Sequence, residues 1–544
     1  MTGPQTLDWR VPAAAAILAA AVLLANAFGV FESEGDLPSF KAQACALPDE
    51  WLLRTQRGYY EPRSGQVSIL PKYPAYMASG GGGWSHSGPW DYLQEIPLVF
   101  YAPGRIDPVG DVDRPVTMAD VAPTIMTFLN AFIRSDDGAS LDEAVRFTGS
   151  MIRRGPPKLI LTVVWDGGGW NALNQWPDDW PNLARMMREG VSYTNATVGS
   201  SPSVTPAVHT TLGTGVFPWT HGVTGVPVRD ETGKVVDAFL KGESSRFIQV
   251  PTVAEKWDEE HDNKALVGMI GYEPWHLGMI GQGAERSTGD RDDAAWLNIE
   301  TNDWITNDAH YRLPPALPET PGLQDDLDAL DSQDGEKDET WLGQKILDAP
   351  DRVEETPAFI TYHARAMLNT IRAEGYGSDD IPDLMFTNFK QIDRLGHYFN
   401  MASEEVHQAV VESDRQLKVL TDGLDEIVGE GDWVVIVTAD HGQQPDAKAI
   451  DAYGIDPREV EADIRDEFGP IVRAVWPTEV FLLDDAMAER GVTVEEVARF
   501  LGDYRLADNT QRVDFLIGGQ GQFGARDRLF DMAIPAAMLP TLKC

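Results

Sequence analysis

The chain has 544 residues, 43% of them hydrophobic and 24% charged, a balance that fits an ordinary globular protein and excludes a fibrous or wholly disordered one. That length exceeds one minimal core, so a large domain with insertions is expected. Against 85 acidic side chains stand 44 basic ones, a formal net charge of -41; such a surface repels phosphate backbones, so nucleic-acid binding is not expected, and an anionic substrate would need bound cations beside it.

In chain order, the first feature is an uncharged run from Val11 to Phe31, dense in Ala, Leu and Val. As a helix it matches about one bilayer thickness, and two readings stand: residues 1–31 are a signal peptide with a small-x-small site at Ala25-Asn26-Ala27, or a retained membrane anchor. Either places the rest of the chain in the cell envelope or outside the cell, with the membrane a partner only through this segment. Cys45 and Cys544, the only cysteines, can pair in an oxidising compartment or stay separate thiols. Between them, residues 45–130 carry a glycine run from Gly80 to Gly83, a strand-like Ile96 to Tyr101 and a helix-like Met118 to Asn130.

Leu159 to Trp165 is apolar on both faces and ends at Asp166-Gly167, as a buried parallel strand entering a turn does. The same grammar recurs at Leu384 to Phe389, leading to Asp393, and at Trp433 to Thr438, leading to Asp440-His441, with a helical pattern from Glu404 to Val428 between them. An α/β fold follows, a mainly parallel central sheet flanked by helices. Residues 231–353 interrupt the pattern and are expected as a cap-like insertion, with the acidic run from Gln324 to Asp338 an exposed loop.

Ligands of open α/β sheets bind beyond the carboxyl ends of the strands, which directs attention to Asp166, Asp393, His397, Asp440 and His441. Carboxylates and imidazoles together suit zinc and its neighbours. A single Asp after a strand would more often cap a helix. Residues 200–226 add a hydroxyl, Thr205, followed by His209, Gly215 and Pro218-Trp219-Thr220-His221-Gly222. Alone, Thr205 reads as a helix cap; beside a metal, a hydroxyl can lose its proton and attack phosphorus.

In order and spacing these segments, spanning most of Lys158 to Gly442, resemble the alkaline phosphatase superfamily, in particular its nucleotide pyrophosphatase/phosphodiesterase and Thr-type alkaline phosphatase branches. The resemblance implies a hydrolase of phosphoric mono- or diesters, with a small phosphate ester as substrate, two divalent metal ions (zinc by preference) and a phospho-threonine intermediate at Thr205. One metal would be held by Asp166, Thr205, Asp440 and His441, the other by Asp393, His397 and a histidine near the family's C-terminus. No histidine follows His441 in this chain.

The segment Trp84-Ser85-His86-Ser87-Gly88-Pro89-Trp90, with Ile96 to Phe100 and Asp120 to Thr124 after it, is similar to that missing C-terminal piece. The resemblance therefore implies a circular permutation, in which residues 45–130 complete a catalytic domain carried by residues 156–544 and His86 supplies the absent ligand. Unpermuted, Cys544 would run toward Cys45, so a disulfide between them is expected. His209 and His221 are expected to support the nucleophile loop, His276, His310 and His363 fall outside every motif, and Arg229 and Lys390 are candidate phosphate contacts. Pro206 sits one position earlier than the family pattern places it. Two alternatives stand beside the hydrolase: a sulfatase-like enzyme, for which the Ser201 to Thr205 segment lacks the required Arg, and an envelope binding protein of the same fold that has lost catalysis.

Overall fold

The computed structural model describes residues 37–78, 84–145, 155–345, 347, 352–509 and 523–544. Among these, nine strands form one mixed sheet: β1 (Leu98–Tyr101), β2 (Gly110–Val112), β3 (Leu159–Trp165), β4 (Val191–Tyr193), β5 (Val267–Ile270), β6 (Asp293–Asn298), β7 (Asp303–Ile305), β8 (Asp383–Phe389) and β9 (Trp433–Thr438). Their order across the sheet is β7-β6-β5-β8-β3-β9-β1-β4-β2. The centre, β6 to β9 in that order, is parallel, whereas β1 runs antiparallel to both β9 and β4.

Strand β3 shows why the sequence lacks strand alternation. Leu159, Leu161, Val163 and Trp165 enter one core with helices α2 (Pro357–Glu374) and α4 (Glu404–Ile427), while Ile160 and Val164 enter another with Val208 and Leu212 of α1 (Thr205–Thr214). A strand covered on both faces gains from apolar residues at every position, each fully buried Val or Leu contributing about 1.5–3 kcal/mol. The register levels the strand ends: Phe389 pairs with Trp165, and Thr438 with Val164. The polar residues that follow β3, β8 and β9 therefore emerge at one edge.

Residues 231–353 carry β5, β6 and β7, with β5 buried between β6 and β8. One expectation is corrected. The acidic run from Gln324 to Asp338 opens with a helix, Leu323–Asp331, whose Leu327 and Leu330 are buried. Two leucines three apart face one core on a helix, a signal that the surrounding carboxylates masked.

A second, four-stranded antiparallel sheet joins the two ends of the chain, in the order Val472–Trp476, Glu479–Leu482, Val67–Pro71 and Phe530–Pro535. Beside it Cys45 and Cys544 form the expected disulfide, their Cα atoms 5.5 Å apart. Residues 1–31 and the glycine run at 80–83 lie outside the described residues. Among those described, no helix is long and apolar enough to cross a membrane.

Candidate active site

Each of the level strand ends delivers part of the site. Asp166 follows β3, and Gly167 turns the chain with φ of 68°; a Cβ there would lie 2.3 Å from Gln443 Nε2 and 3.0 Å from Asp393 Cα, so only glycine lets the loops after β3 and β8 approach. After β8, helix α3 (Gln391–Phe399) places Asp393 and His397 four apart on one face. Asp440 and His441 follow β9, with Asp440 Oδ1 accepting from Gly167 N at 3.0 Å. Thr205 is the first residue of α1; Pro206 sits in the first turn, where its lack of an N–H leaves no hydrogen bond unmade.

His86 reaches this edge from the segment before β1. Its Nε2 lies 3.4 Å from Asp393 Oδ1, and its ring stacks on His441 with centroids 3.5 Å apart. A reciprocal clamp fixes it: His86 Nδ1 donates to Ser203 O at 2.9 Å, and Ser203 Oγ donates to His86 O at 2.8 Å.

The tautomers test whether these residues suit metal ions. His86, His397 and His441 each direct Nδ1 at a carbonyl oxygen, of Ser203, Trp84 and Gly442 respectively. The carbonyl can only accept, so the proton resides on Nδ1 and the Nε2 lone pair is left bare. Those lone pairs face carboxylate oxygens: His397 Nε2 is 3.3 Å from Asp393 Oδ1, and His441 Nε2 is 3.4 Å from both Asp166 Oδ1 and Asp440 Oδ2. Asp393 Oδ1, Asp440 Oδ2 and His441 Nε2 are buried with no hydrogen-bond partner. Acceptor facing acceptor in a buried site calls for a cation between them, and two groups converge in this way: Asp166 with Asp440 and His441, and His86 with Asp393 and His397. The same carboxylates favour positive charge at this point: Asp440 and Asp166 outweigh burial and raise His441 to about 9, and burial with the adjacent Asp166 raises Asp440 to about 7.

Thr205 Oγ1 stands 3.5 Å from Asp166 Oδ2. Lys390, one of the two candidate phosphate contacts, is fully inside the site: its Nζ lies 3.0 Å from Asp166 Oδ1, 2.9 Å from Asp393 Oδ2 and 3.1 Å from Thr205 Oγ1. Burial opposes its charge, but Asp166 and Asp393 prevail and hold it above the ordinary lysine range. Arg229, the other, is not there; its guanidinium donates to Ser64 O and Glu61 O instead.

The supporting histidines divide. Val223 N donates to His221 Nδ1, leaving the proton on Nε2 beside Thr211 Oγ1 at 3.1 Å, so a neutral His221 ties the turn after α1 to the helix; burial lowers it to about 3. His209 Nε2 lies 3.6 Å from Asp440 Oδ2, and its Nδ1 meets His276 Nδ1 at 3.1 Å. His276, expected to be ordinary, is thus a neighbour of the site, and it lies in a segment with no motif to mark it. His363 bonds Thr387 Oγ1 and stays apart.

His86, Thr205, Lys390, Asp393 and His397 line a cavity of about 470 Å3, together with Trp275 and with Val475 and Trp476 of the second sheet. A family model for type I phosphodiesterase/nucleotide pyrophosphatase matches residues 160–499. The chain is 24% identical over 399 residues to alkaline phosphatase PafA of Elizabethkingia meningoseptica, covering 63% of this chain and 72% of that one. It is 22% identical over 334 residues to a calcium-transporting ATPase of Myroides odoratus, covering 53% of this chain and 60% of that one. Identity to alkaline phosphatase PhoV of Synechococcus elongatus is 22% over 333 residues, covering 53% and 59%. The chain therefore spans about three-fifths of each of the latter two. The crystal structure of wild-type PafA aligns with a TM-score of 0.52 at 20% identity, covering 65% of this chain and 77% of that one, which shows a shared fold.

Proposed function

This chain belongs to the type I phosphodiesterase/nucleotide pyrophosphatase family, and from that premise we propose a two-metal phosphoric-ester hydrolase in which Thr205 is the nucleophile. The observation that carries the reading is the set of bare Nε2 lone pairs and orphaned carboxylate oxygens beside a buried hydroxyl. Asp166, Asp440 and His441, with the Thr205 hydroxyl, would hold one divalent ion, and His86, Asp393 and His397 the other, zinc by ligand type. Such ions, when bound, neutralise phosphoryl oxygens and make a nearby hydroxyl acidic.

Thr205 Oγ gives up its proton to solvent and forms a bond to phosphorus while the ester P–O bond opposite it breaks, the departing oxygen taking a proton from solvent. The Lys390 ammonium, 3.1 Å from Oγ1, donates to a non-bridging oxygen and stabilises its growing charge. Water, losing a proton to solvent, attacks the phospho-threonine in a second in-line step; the Thr205 Oγ–P bond breaks, the phosphate product leaves and Oγ takes up a proton, restoring the hydroxyl. Two displacements give net retention at phosphorus.

The circular permutation is part of this proposal: residues 45–130 supply His86 and β1, completing the domain carried by residues 156–544, and the Cys45–Cys544 bond joins segments that would be consecutive in the unpermuted order. Export through residues 1–31 is consistent with that disulfide. The test is hydrolysis of chromogenic phosphate monoesters and diesters by zinc-loaded protein. Turnover of either supports the hydrolase, and the faster names the ester class; no turnover of either, with fewer than two zinc ions bound, would favour the binding protein.

A further inference from the structure

A second kind of metal-ligand cluster lies far from the chemistry. Asp258, in the helix Val253–Glu260, and Asp290 and Asp292, in the loop entering β6, bring carboxylate oxygens within 4.8 Å of one another. The catalytic residues follow the carboxyl ends of the parallel strands, whereas Asp290 and Asp292 precede the amino end of β6, so this cluster sits at the opposite edge of the sheet.

Three carboxylates this close repel unless something neutralises them. Asp258 is 4% exposed and Asp292 8% exposed, and Asp258 Oδ1 is buried with no hydrogen-bond partner. Two nearby arginines are committed elsewhere: Arg286 to Glu255 at 3.3 Å, and Arg312 to Asp293 at 2.6 Å and Glu374 at 2.9 Å. Among the described residues no lysine or arginine pairs with Asp258, Asp290 or Asp292. A shared proton is the competing solution, since burial and the adjacent Asp290 raise Asp258 to about 7. Burial, with Asp258 and Asp290 beside it, also raises Asp292 well above the ordinary carboxylate range, so the three carboxyls attract either protons or a cation.

We propose that Asp258, Asp290 and Asp292 form a separate calcium site that braces the helix Val253–Glu260 against the start of β6. The donor set decides the metal. Carboxylate oxygens without imidazole or thiolate suit a hard cation, and a cluster built of protein side chains in irregular loop geometry suits calcium better than magnesium, which demands a near-ideal octahedron and keeps its waters. Zinc prefers the histidine-bearing clusters at the other edge. The ion would stabilise the fold without touching the reacting atoms.

The test uses zinc-loaded full-length protein equilibrated at pH 8 with calcium, followed by elemental analysis and thermal unfolding. Wild type is expected to hold one calcium ion per chain more than Asp290→Asn or Asp258→Asn, at equal zinc content, and its Tm should rise by a few degrees with calcium while theirs does not. Asp290 is exposed, so its Asn variant keeps the fold and, with one repelling carboxylate removed, is at least as stable as wild type in calcium-free buffer. Equal calcium in wild type and Asp290→Asn, or none in wild type at millimolar calcium, would overturn the site.

Discussion

His86 Nε2 lies 3.4 Å from Asp393 Oδ1, joining a residue that precedes the nucleophile segment to one that follows it. Because its Nδ1 proton is pinned to Ser203 O, the imidazole is pre-set to present a lone pair. His86→Ala should remove about one zinc ion per chain and lower kcat/KM by more than the about 10–100-fold typical of losing a mere outer partner of a ligand. Zinc analysis beside steady-state kinetics checks both; an unchanged zinc content would remove His86 from the metal site and weaken the permutation.

Thr205 is buried at the start of α1, where the helix N-terminus favours negative charge. Thr205→Ala should abolish turnover while binding metal nearly as wild type does, and Thr205→Ser should keep a measurable fraction of kcat. Loss of turnover in both, with intact metal content, would assign the residue a structural role.

For Lys390→Met the expected change is a fall in kcat of about 10²–10³, the cost of removing one donor to developing charge. Arg229→Met should leave kcat close to wild type, because its guanidinium is spent on Ser64 O and Glu61 O. Comparable losses in the two would show that basic charge in general, rather than the placement of Lys390, is what counts.

Glu479 supplies a pH dependence away from the metal ligands. It is buried in the second sheet, its Oε2 accepting from Gly65 N at 2.5 Å, and burial raises it to about 7. An acid raised on folding is protonated in the native state while the unfolded chain has already lost its proton. The stability it contributes is therefore full below the unfolded value, near 4.3, and is lost as pH rises toward 7, by about 3–4 kcal/mol. Glu479→Gln should flatten that slope in denaturant titrations at pH 5 and pH 8.5, gaining stability at the higher pH.

The disulfide closes nearly the whole chain. Cys45→Ser with Cys544→Ser should cost about 3–5 kcal/mol of stability, less than the about 6 kcal/mol of the ideal chain-entropy picture for so long a loop, seen as a lower denaturation midpoint, with kcat unchanged.

Much of this was legible in the chain. β3, β8 and β9 announce themselves as short apolar runs because both faces of a parallel strand are buried, and the motifs after them carry Asp166, Asp393, His397, Asp440 and His441. Other parts were hidden by chemistry common to any surface. Lys390 looks like an ordinary basic residue, and only the fold shows it 3% exposed between two carboxylates. His276 sits in a 3-10 turn without a motif, and β5 and β6 are short strands set among acidic loops, so their place in the sheet emerges only once β8 is beside them. The second sheet, pairing Val67–Pro71 with Phe530–Pro535, is a contact between chain ends that local patterning does not encode.

The most direct test of Thr205 as nucleophile is acid quenching of zinc-loaded enzyme during turnover of a phosphate ester, followed by mass spectrometry of the peptide bearing residue 205. The account predicts a phosphoryl group on Thr205 in wild type and none in Thr205→Ala. Full turnover with no phosphorylated peptide at any quench time, together with inversion at phosphorus, would contradict it and replace the covalent route with direct attack by water.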